Sequence, residues 1–283
     1  MKNVLLPTDL SENSWNAIKY ALLFFSTVKC NFYVLHVNRF SHLESDMASV
    51  PMDQNYIEDV FTKPAKKQLR SILKRISKLS SNHKNHKFYT LADYNSFIES
   101  IRETVNEKHI DFIVMGTKGA SGLERMILGS NTADVITKVK CNTFAIPENA
   151  EFTSPQEIAF PTDFSLSHDL QILQPITEII EQFEASLRIL NVGKNNVALN
   201  SEQKKNKELL EDYFTDQSYS FHYLTNKKIE DAIQCFVESR DIDIICMVAK
   251  NLNYFQQILF HSRVEKISYH TDRPFLVLHE INQ

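Results

Sequence analysis

Glycine is scarce in this chain. It occurs five times among 283 residues, against the roughly 20 that an average usage of about 7% would give. Four of the five, Gly116, Gly119, Gly122 and Gly129, lie in the stretch MGTKGASGLERMILGSNT. Glycine allows backbone N–H groups to turn outward through positive φ, and such groups ahead of a helix N-terminus suit an anion. This concentration predicts a phosphate site, although ordinary turn punctuation is the alternative reading.

Cysteine and charge are also limited. The four cysteines stand singly, with no CxxC pair, which argues against metal or disulfide chemistry and favours a reducing compartment. No His, Cys and Asp set has metal-ligand spacing, so no metal site is predicted. A net charge of −4 and a pI near 6.2 argue against nucleic acid as the main partner. The one basic run, at 63–75, is interpreted as the solvated face of an amphipathic helix.

Long apolar runs are missing too. No stretch reaches the length that crosses a membrane, so no membrane partner is expected. The sequence enters a strand-like pattern at its start and shows no signal-peptide pattern. We therefore expect a cytoplasmic protein.

An internal repeat organises the chain. NVLLPTDLSENS at 3–14 returns as EIAFPTDFSLSH at 157–168, and HIDFIVMGTKG at 109–119 returns as DIDIICMVAKN at 241–251. The offset shrinks from 154 to 132, so the second copy is shorter. We predict two domains, 1–148 and 155–283, joined by a polar linker that contains two prolines.

Within each copy, short apolar β-rich runs alternate with amphipathic helical patterns. Helical crossovers require parallel neighbours, so the fold class is α/β: two tandem doubly wound parallel five-stranded sheets. We take 3-2-1-4-5 as the expected strand order of each sheet, which the alternation alone does not determine. Pro175 lies inside the first helical run of the second copy, where it would kink or break the helix.

Two candidate segments converge at one edge of the first predicted sheet. Ligands of such sheets bind beyond the carboxyl ends of the strands, where the strand order reverses. That point lies between strand one, which ends at Pro7-Thr8-Asp9, and strand four, which ends at Met115-Gly116. The sequence thus predicts a crevice there.

The spacing of the glycines limits which nucleotide-binding motif they can form. Gly116-x-x-Gly119, nine residues and then Gly129-Ser130 match neither GxxxxGK[ST] nor GxGxxG. The arrangement resembles the ATP-binding motif of universal stress proteins, as do VLLPTDLSENS, the central LHV and the last strand after KCNTFAIP. The resemblance extends over the whole chain as two tandem modules, with the glycine motif in the first copy only.

The resemblance implies a set of nucleotide contacts. Thr8 and Asp9, after Pro7, would face the adenosine half of ATP, and Asp9 would accept from ribose or adenine or help to place Mg²⁺. Val37 would pack on adenine. Met115 leads into Gly116 and Gly119, whose N–H groups would meet the phosphates beside Lys118. A helix N-terminus would complete the site through Gly129, Ser130 and Asn131.

Several of these residues have structural alternatives. Asp9 and Ser11 could simply cap the first helix, and the second copy keeps Thr162-Asp163 and Ser165 without the glycines. Val37 could belong to the core, and Lys118 could be a solvated charge. His36 is interpreted as a packed histidine and not as a ligand.

The second copy lacks the glycine motif. Val248 aligns with Gly116, Asn251 with Gly119 and His261 with Gly129. Valine resists positive φ and would fill space that a phosphate needs. We therefore expect about one ATP per chain. The resemblance further implies that the two domains pair as an intramolecular pseudo-dimer, and that a homodimer can form.

The function that follows is a nucleotide-dependent stress-response regulator. No catalytic residue is evident beyond Asp9, so enzyme activity is open and at most a slow ATPase is expected. A slow ATPase or phosphotransferase and a nucleotide-free interaction module are the alternatives.

Overall fold

The computed structural model of the chain describes residues 1–38, 63–79, 85–117, 129–165, 170–193, 198–226, 228–249 and 272–280. The chain divides into two compact units, and the division falls between Glu148 and Asn149. We propose that the two domains have the limits 1–148 and 155–283.

The first unit is a parallel sheet with helices along it. Its strands are β1 Lys2–Pro7, β2 Cys30–Asn38, β3 His86–Tyr94, β4 Phe112–Gly116 and β5 Asn142–Ile146. Its helices are α1 Glu12–Phe24, α2 Lys63–Leu79, α3 Phe97–Lys108 and α4 Ser130–Lys138. The strand order is β3-β2-β1-β4-β5, and every described pairing is parallel. This confirms the predicted order 3-2-1-4-5.

The second unit repeats the order. Its strands are β6 Glu157–Pro161, β7 Ser186–Gly193, β8 Tyr219–Thr225, β9 Ile244–Val248 and β10 Phe275–Leu278. Its helices are α5 Gln174–Phe183, preceded by a 3₁₀ turn at Leu170–Leu173, α6 Ser201–Tyr213 and α7 Ile229–Ser239. The order is β8-β7-β6-β9-β10, again parallel. Pro175 lies in the first turn of α5, where its missing N–H costs no helical hydrogen bond.

The central strands carry the core of the first unit. β4 and β5 are buried throughout, as expected for strands covered on both faces. On one face Tyr20 and Phe24 of α1 pack edge-on against Phe144, with ring centroids 5.5 and 5.1 Å apart. On the other face Leu5 and Ile113 belong to a cluster that continues into α3 and α4. Burial of both sheet faces therefore leaves the ends of the strands as the place for a ligand.

The cysteines differ sharply in exposure. Burial raises the pKa of Cys30 and of Cys141 to about 12, and it also raises the pKa of Cys246. Cys235, on α7, is exposed. The thiolate is the reactive form, so the three buried thiols are protonated and shielded near neutral pH.

We therefore expect one fast-reacting thiol per native chain. Titration with Ellman's reagent at pH 8 should label one cysteine, and all four should react in denaturant. Cys235→Ser should remove the fast phase. Rapid labelling of a second thiol in the native chain would contradict the burial.

No helix among the described residues has both the length and the apolar character needed to span a bilayer.

Candidate functional site

The turn after β1 is held by its own side chains. Thr8 is buried, its Oγ1 lies 2.8 Å from Ser14 Oγ, and it accepts from the N–H of Leu10 at 3.0 Å. Leu10 has a φ of 68°, a conformation that is unfavourable for a branched side chain. The Thr8 side chain therefore fixes a strained turn and lies below its surface.

Asp9 organises the start of α1. Its Oδ1 accepts from the N–H of Ser11 at 3.1 Å and from Ser11 Oγ at 2.6 Å. Ser11 is the N-cap and accepts from the N–H of Ser14. Ser11 therefore caps the first helix directly, and Asp9 contributes to the cap by accepting hydrogen bonds from Ser11. The Asp9 residue itself is exposed at the sheet edge, so its structural role does not remove it from a ligand's reach.

Gly116 and Asn13 bring the two candidate segments together. A Cβ built on Gly116 would lie 2.7 Å from Asn13 Nδ2 and 2.9 Å from Asn13 Cγ. Asn13 lies in the first turn of α1, and Gly116 is the last residue of β4. The turn after β1 and the end of β4 therefore meet, and the missing side chain of Gly116 allows the contact.

The N-terminus of α4 is anchored behind this contact. Thr117 donates its N–H to Ile146 O at 2.9 Å and accepts at O from the N–H of Gly129 at 2.5 Å. Buried Thr132 donates its hydroxyl to Gly116 O at 2.8 Å. These bonds fix the first turn of α4 beside the end of β4. Gly129 is the N-cap and has no side chain that could cap the helix.

The glycine conformations differ from the expectation. Gly129 has φ −63° and ψ 152°, and Gly116 does not have a positive φ either. The expectation of positive φ is wrong at these two positions, where glycine provides room instead. The Gly129 N–H is used by Thr117 O, so an anion would meet the N–H groups of the residues that follow. Ser130 is exposed and Asn131 is half-buried at this helix start.

The remaining predicted residues differ in how deeply they are buried. Pro7 ends β1 in register with Leu35, and it is buried. Met115 belongs to the core cluster, and Val37 is partly buried against the same cluster. His36 Nδ1 lies 2.8 Å from Thr8 O, which supports the packed-histidine interpretation. Lys118 and Gly119 lie outside the described residues.

Metal ligands do not gather anywhere in the described ranges. No group of three or more His, Cys, Asp or Glu side chains is placed to hold an ion. A Mg²⁺ ion would therefore need phosphate oxygens as additional ligands, which is its usual coordination with nucleotides.

The comparison with known proteins identifies the family. A sequence model of the Universal stress protein family matches residues 1–147, just over half of the chain. The chain belongs to the universal stress protein family. Two universal stress proteins of Methanocaldococcus jannaschii are each 27% identical to it, over 145 and 149 residues, covering 51% and 48% of this chain and 81% and 89% of those proteins.

The fold comparison extends over both units. A universal stress protein from Archaeoglobus fulgidus covers 97% of this chain and 97% of its own, at a TM-score of 0.69 and 19% identity. At this identity the likeness shows the fold, and it agrees with the α/β architecture described above.

The second unit of this universal stress protein repeats the turn that follows β1. Phe164 donates its N–H to Thr162 Oγ1 at 2.9 Å, and Ser165 donates its N–H to Asp163 Oδ1 at 2.9 Å. On α6, Gln203 and Asn206 donate to Asp163 O and Phe164 O. The turn is therefore a property of the fold itself, and its presence alone does not identify a ligand site.

Sequence reasoning missed three residues that build the first site: Asn13, Thr117 and Thr132. The repeat contained a signal for Asn13. In the second copy a larger residue, Val248, aligns with Gly116, and at the offset of 154 a smaller residue, Ser167, aligns with Asn13. The opposite changes in size indicate that positions 13 and 116 occupy adjoining space. Nothing comparable marks Thr117 or Thr132, because their role is a backbone contact.

Proposed function

We propose that the first unit binds ATP, with or without Mg²⁺, at the carboxyl edge of its sheet. Asp9 would line the adenosine side, on the turn that the buried Thr8 side chain holds, and Val37 would contact the adenine ring. Gly116, Gly119 and Lys118 would lie along the phosphates, and Ser130 and Asn131 would receive the terminal phosphates. Pro7, Met115 and Gly129 would shape the cleft.

One observation carries the proposal. The Asn13 contact with Gly116 joins the β1 turn to the β4 end beside an α-helix whose N-cap is glycine. A helix N-terminus without a side-chain cap leaves N–H groups that a ligand can use, and its dipole favours a phosphate. The glycine pattern Gly116-x-x-Gly119-x9-Gly129-Ser130 adds the room that a polyphosphate group needs.

Nucleotides occur in the family. One universal stress protein of known structure is described in complex with cAMP and another, from Arabidopsis thaliana, with AMP bound.

We assign the nucleotide a regulatory role. Asp9 Oδ1 is engaged by two donors of Ser11, which ties this carboxylate to the start of α1. ATP occupancy would change shape or partner affinity, and any hydrolysis would be slow. Magnesium-dependent turnover that disappears in Asp9→Asn would make the protein an ATPase or phosphotransferase instead.

Stoichiometry tests the proposal. We expect isothermal titration of the full chain with ATP to give about one site per chain, because the second unit carries valine at the Gly116 position. The single tryptophan, Trp15, lies two residues from Asn13 and is 7% exposed, so its fluorescence provides a second readout. Two equivalent sites would refute the assignment. No binding at millimolar ATP would favour a nucleotide-free interaction module.

Assembly is a separate proposal. We expect the two units to pair within the chain as a pseudo-dimer, and two chains to form a homodimer. Light scattering coupled to gel filtration measures the mass of the particle, and a strict monomer at all concentrations would exclude the homodimer. We also propose a cytoplasmic location, which imaging of a tagged chain tests.

A further inference from the structure

Helix α2 carries a stripe of one charge sign. Its 17 residues include seven Lys and Arg and no Asp or Glu. Six of the seven are exposed, and at 100° per residue they fall within about 120° of the helix circumference. We call these six the cationic stripe: Lys63, Lys66, Lys67, Arg70, Lys74 and Lys78. From a rise of 1.5 Å per residue, the stripe is roughly 22 Å long.

The opposite face of α2 fixes the stripe in place. Leu69, Ile72 and Ile76 are buried against the unit. Arg75, the seventh cation, donates both guanidinium nitrogens to Glu12, at 3.0 and 2.9 Å, and lies 4.1 Å from the centre of the Trp15 ring. The helix therefore cannot rotate its apolar side outward, and the stripe faces solvent as a rigid row.

The charges of the stripe destabilise the helix that carries them. Lys67 and Lys74 each lie four residues from a like charge, and such pairs destabilise a helix. Lys63 and Lys66 lie near the helix N-terminus, where the dipole disfavours cations. Lys67, Arg70, Lys74 and Lys78 form no ion pair with any described residue. An arrangement that is locally unfavourable indicates a functional demand, here an anionic partner that neutralises the row.

The rest of the chain limits the shape of that partner. The chain has 31 Lys and Arg against 35 Asp and Glu, so without the seven cations of α2 the balance is 24 against 35. Because this remainder is net acidic, a broad anionic surface, such as a bilayer or a nucleic-acid duplex, gains attraction from the stripe and not from the rest of the chain. A thin polyanion would contact the stripe alone.

The chemistry of the stripe limits the partner further. Five of its six members are lysines, which act as point charges suited to phosphate. No aromatic residue occurs in α2, so no platform for stacking bases accompanies the charges, as single-stranded nucleic acid would require. We propose that the cationic stripe binds inorganic polyphosphate along α2. This surface goes beyond the ATP site and does not depend on it.

Binding of long-chain inorganic polyphosphate to the full chain tests the proposal. Isothermal titration in saturating ATP, which occupies any nucleotide site, should show binding. Its logarithmic salt dependence should have a slope of about −3, from roughly 0.7 per contact and contacts to Lys67, Arg70, Lys74 and Lys78. The double variant Lys67→Glu/Lys74→Glu should bind at least roughly tenfold more weakly, with a shallower slope.

The matched control changes the same charge elsewhere. Lys204→Glu/Lys205→Glu alters two exposed lysines of α6 and should leave polyphosphate affinity within about twofold. Gly129→Val should also retain polyphosphate binding, which separates this surface from the ATP site. Circular dichroism and Trp15 fluorescence verify the fold of each variant.

Three results would overturn the proposal. The first is no polyphosphate binding by the wild-type chain at low salt. The second is an equal loss in the two double variants, which would make the effect one of net charge. The third is tighter binding of polyglutamate, single-stranded RNA or phosphatidylserine vesicles than of polyphosphate.

Discussion

ATP binding by the Gly129→Val variant should become undetectable at millimolar nucleotide, while the variant unfolds at the wild-type temperature. Gly129 has φ −63° and ψ 152°, a conformation that valine adopts without strain. Its branched side chain would instead occupy the entrance to the N-terminus of α4, where the terminal phosphates are proposed to lie. Each tenfold loss corresponds to about 1.4 kcal/mol of binding free energy. Isothermal titration and a thermal melt measure the two quantities.

The control is the same substitution in the other unit. Among the described residues other than its chain neighbours, the nearest atom to a Cβ on Gly193, at the end of β7, would be Leu224 O at 4.0 Å. Gly193→Val should therefore leave ATP affinity unchanged. Unchanged affinity in Gly129→Val, or equal losses in both variants, would count against the whole site assignment.

A net loss of stability is expected for Gly116→Ala. The new Cβ would lie within 3 Å of three side-chain atoms of Asn13, a distance at which one of the two must move. Overpacking of this kind costs about 1–3 kcal/mol in the free energy of unfolding. The smaller entropy of the unfolded alanine chain returns only about 0.4–1 kcal/mol. Denaturant unfolding followed by circular dichroism measures the difference.

Removal of the Asn13 side chain should rescue the Gly116→Ala variant. In Asn13→Ala/Gly116→Ala the new methyl group enters the space that Asn13 left, so the double variant should be more stable than the sum of the single changes predicts. A coupling energy of about 1 kcal/mol or more is expected for residues in direct contact. Strict additivity would show that the two side chains do not compete for the same space.

The parallel α/β architecture could be predicted from the sequence because both copies show the same alternation of strand-like and helical patterns. Runs such as Val4–Pro7 and Phe112–Met115 are apolar throughout, which is typical of strands buried on both faces. Because a helical run lies between successive strands, the strands are expected to pair in parallel. The structure places β1 and β4 side by side and ends both strands at the predicted edge.

Details of the site could not be predicted, because they depend on contacts between distant residues. The pattern of glycines indicated an open backbone, yet Gly116 is required by a side chain 103 positions earlier, that of Asn13. Likewise, the Gly129 N–H bonds to Thr117 O and not to a ligand. A spacing rule shows where glycine occurs and does not show which neighbour excludes a side chain.

The turn that follows β1, and again β6, has a consequence for how such chains diverge. In both units a threonine hydroxyl and an aspartate oxygen satisfy the same backbone N–H groups, at Leu10 and Ser11 and at Phe164 and Ser165. Because these bonds are internal, the turn needs no bound molecule to persist. A duplicated module built in this way can therefore lose its ligand through mutation and still fold, which leaves one half of a tandem protein free to acquire another task.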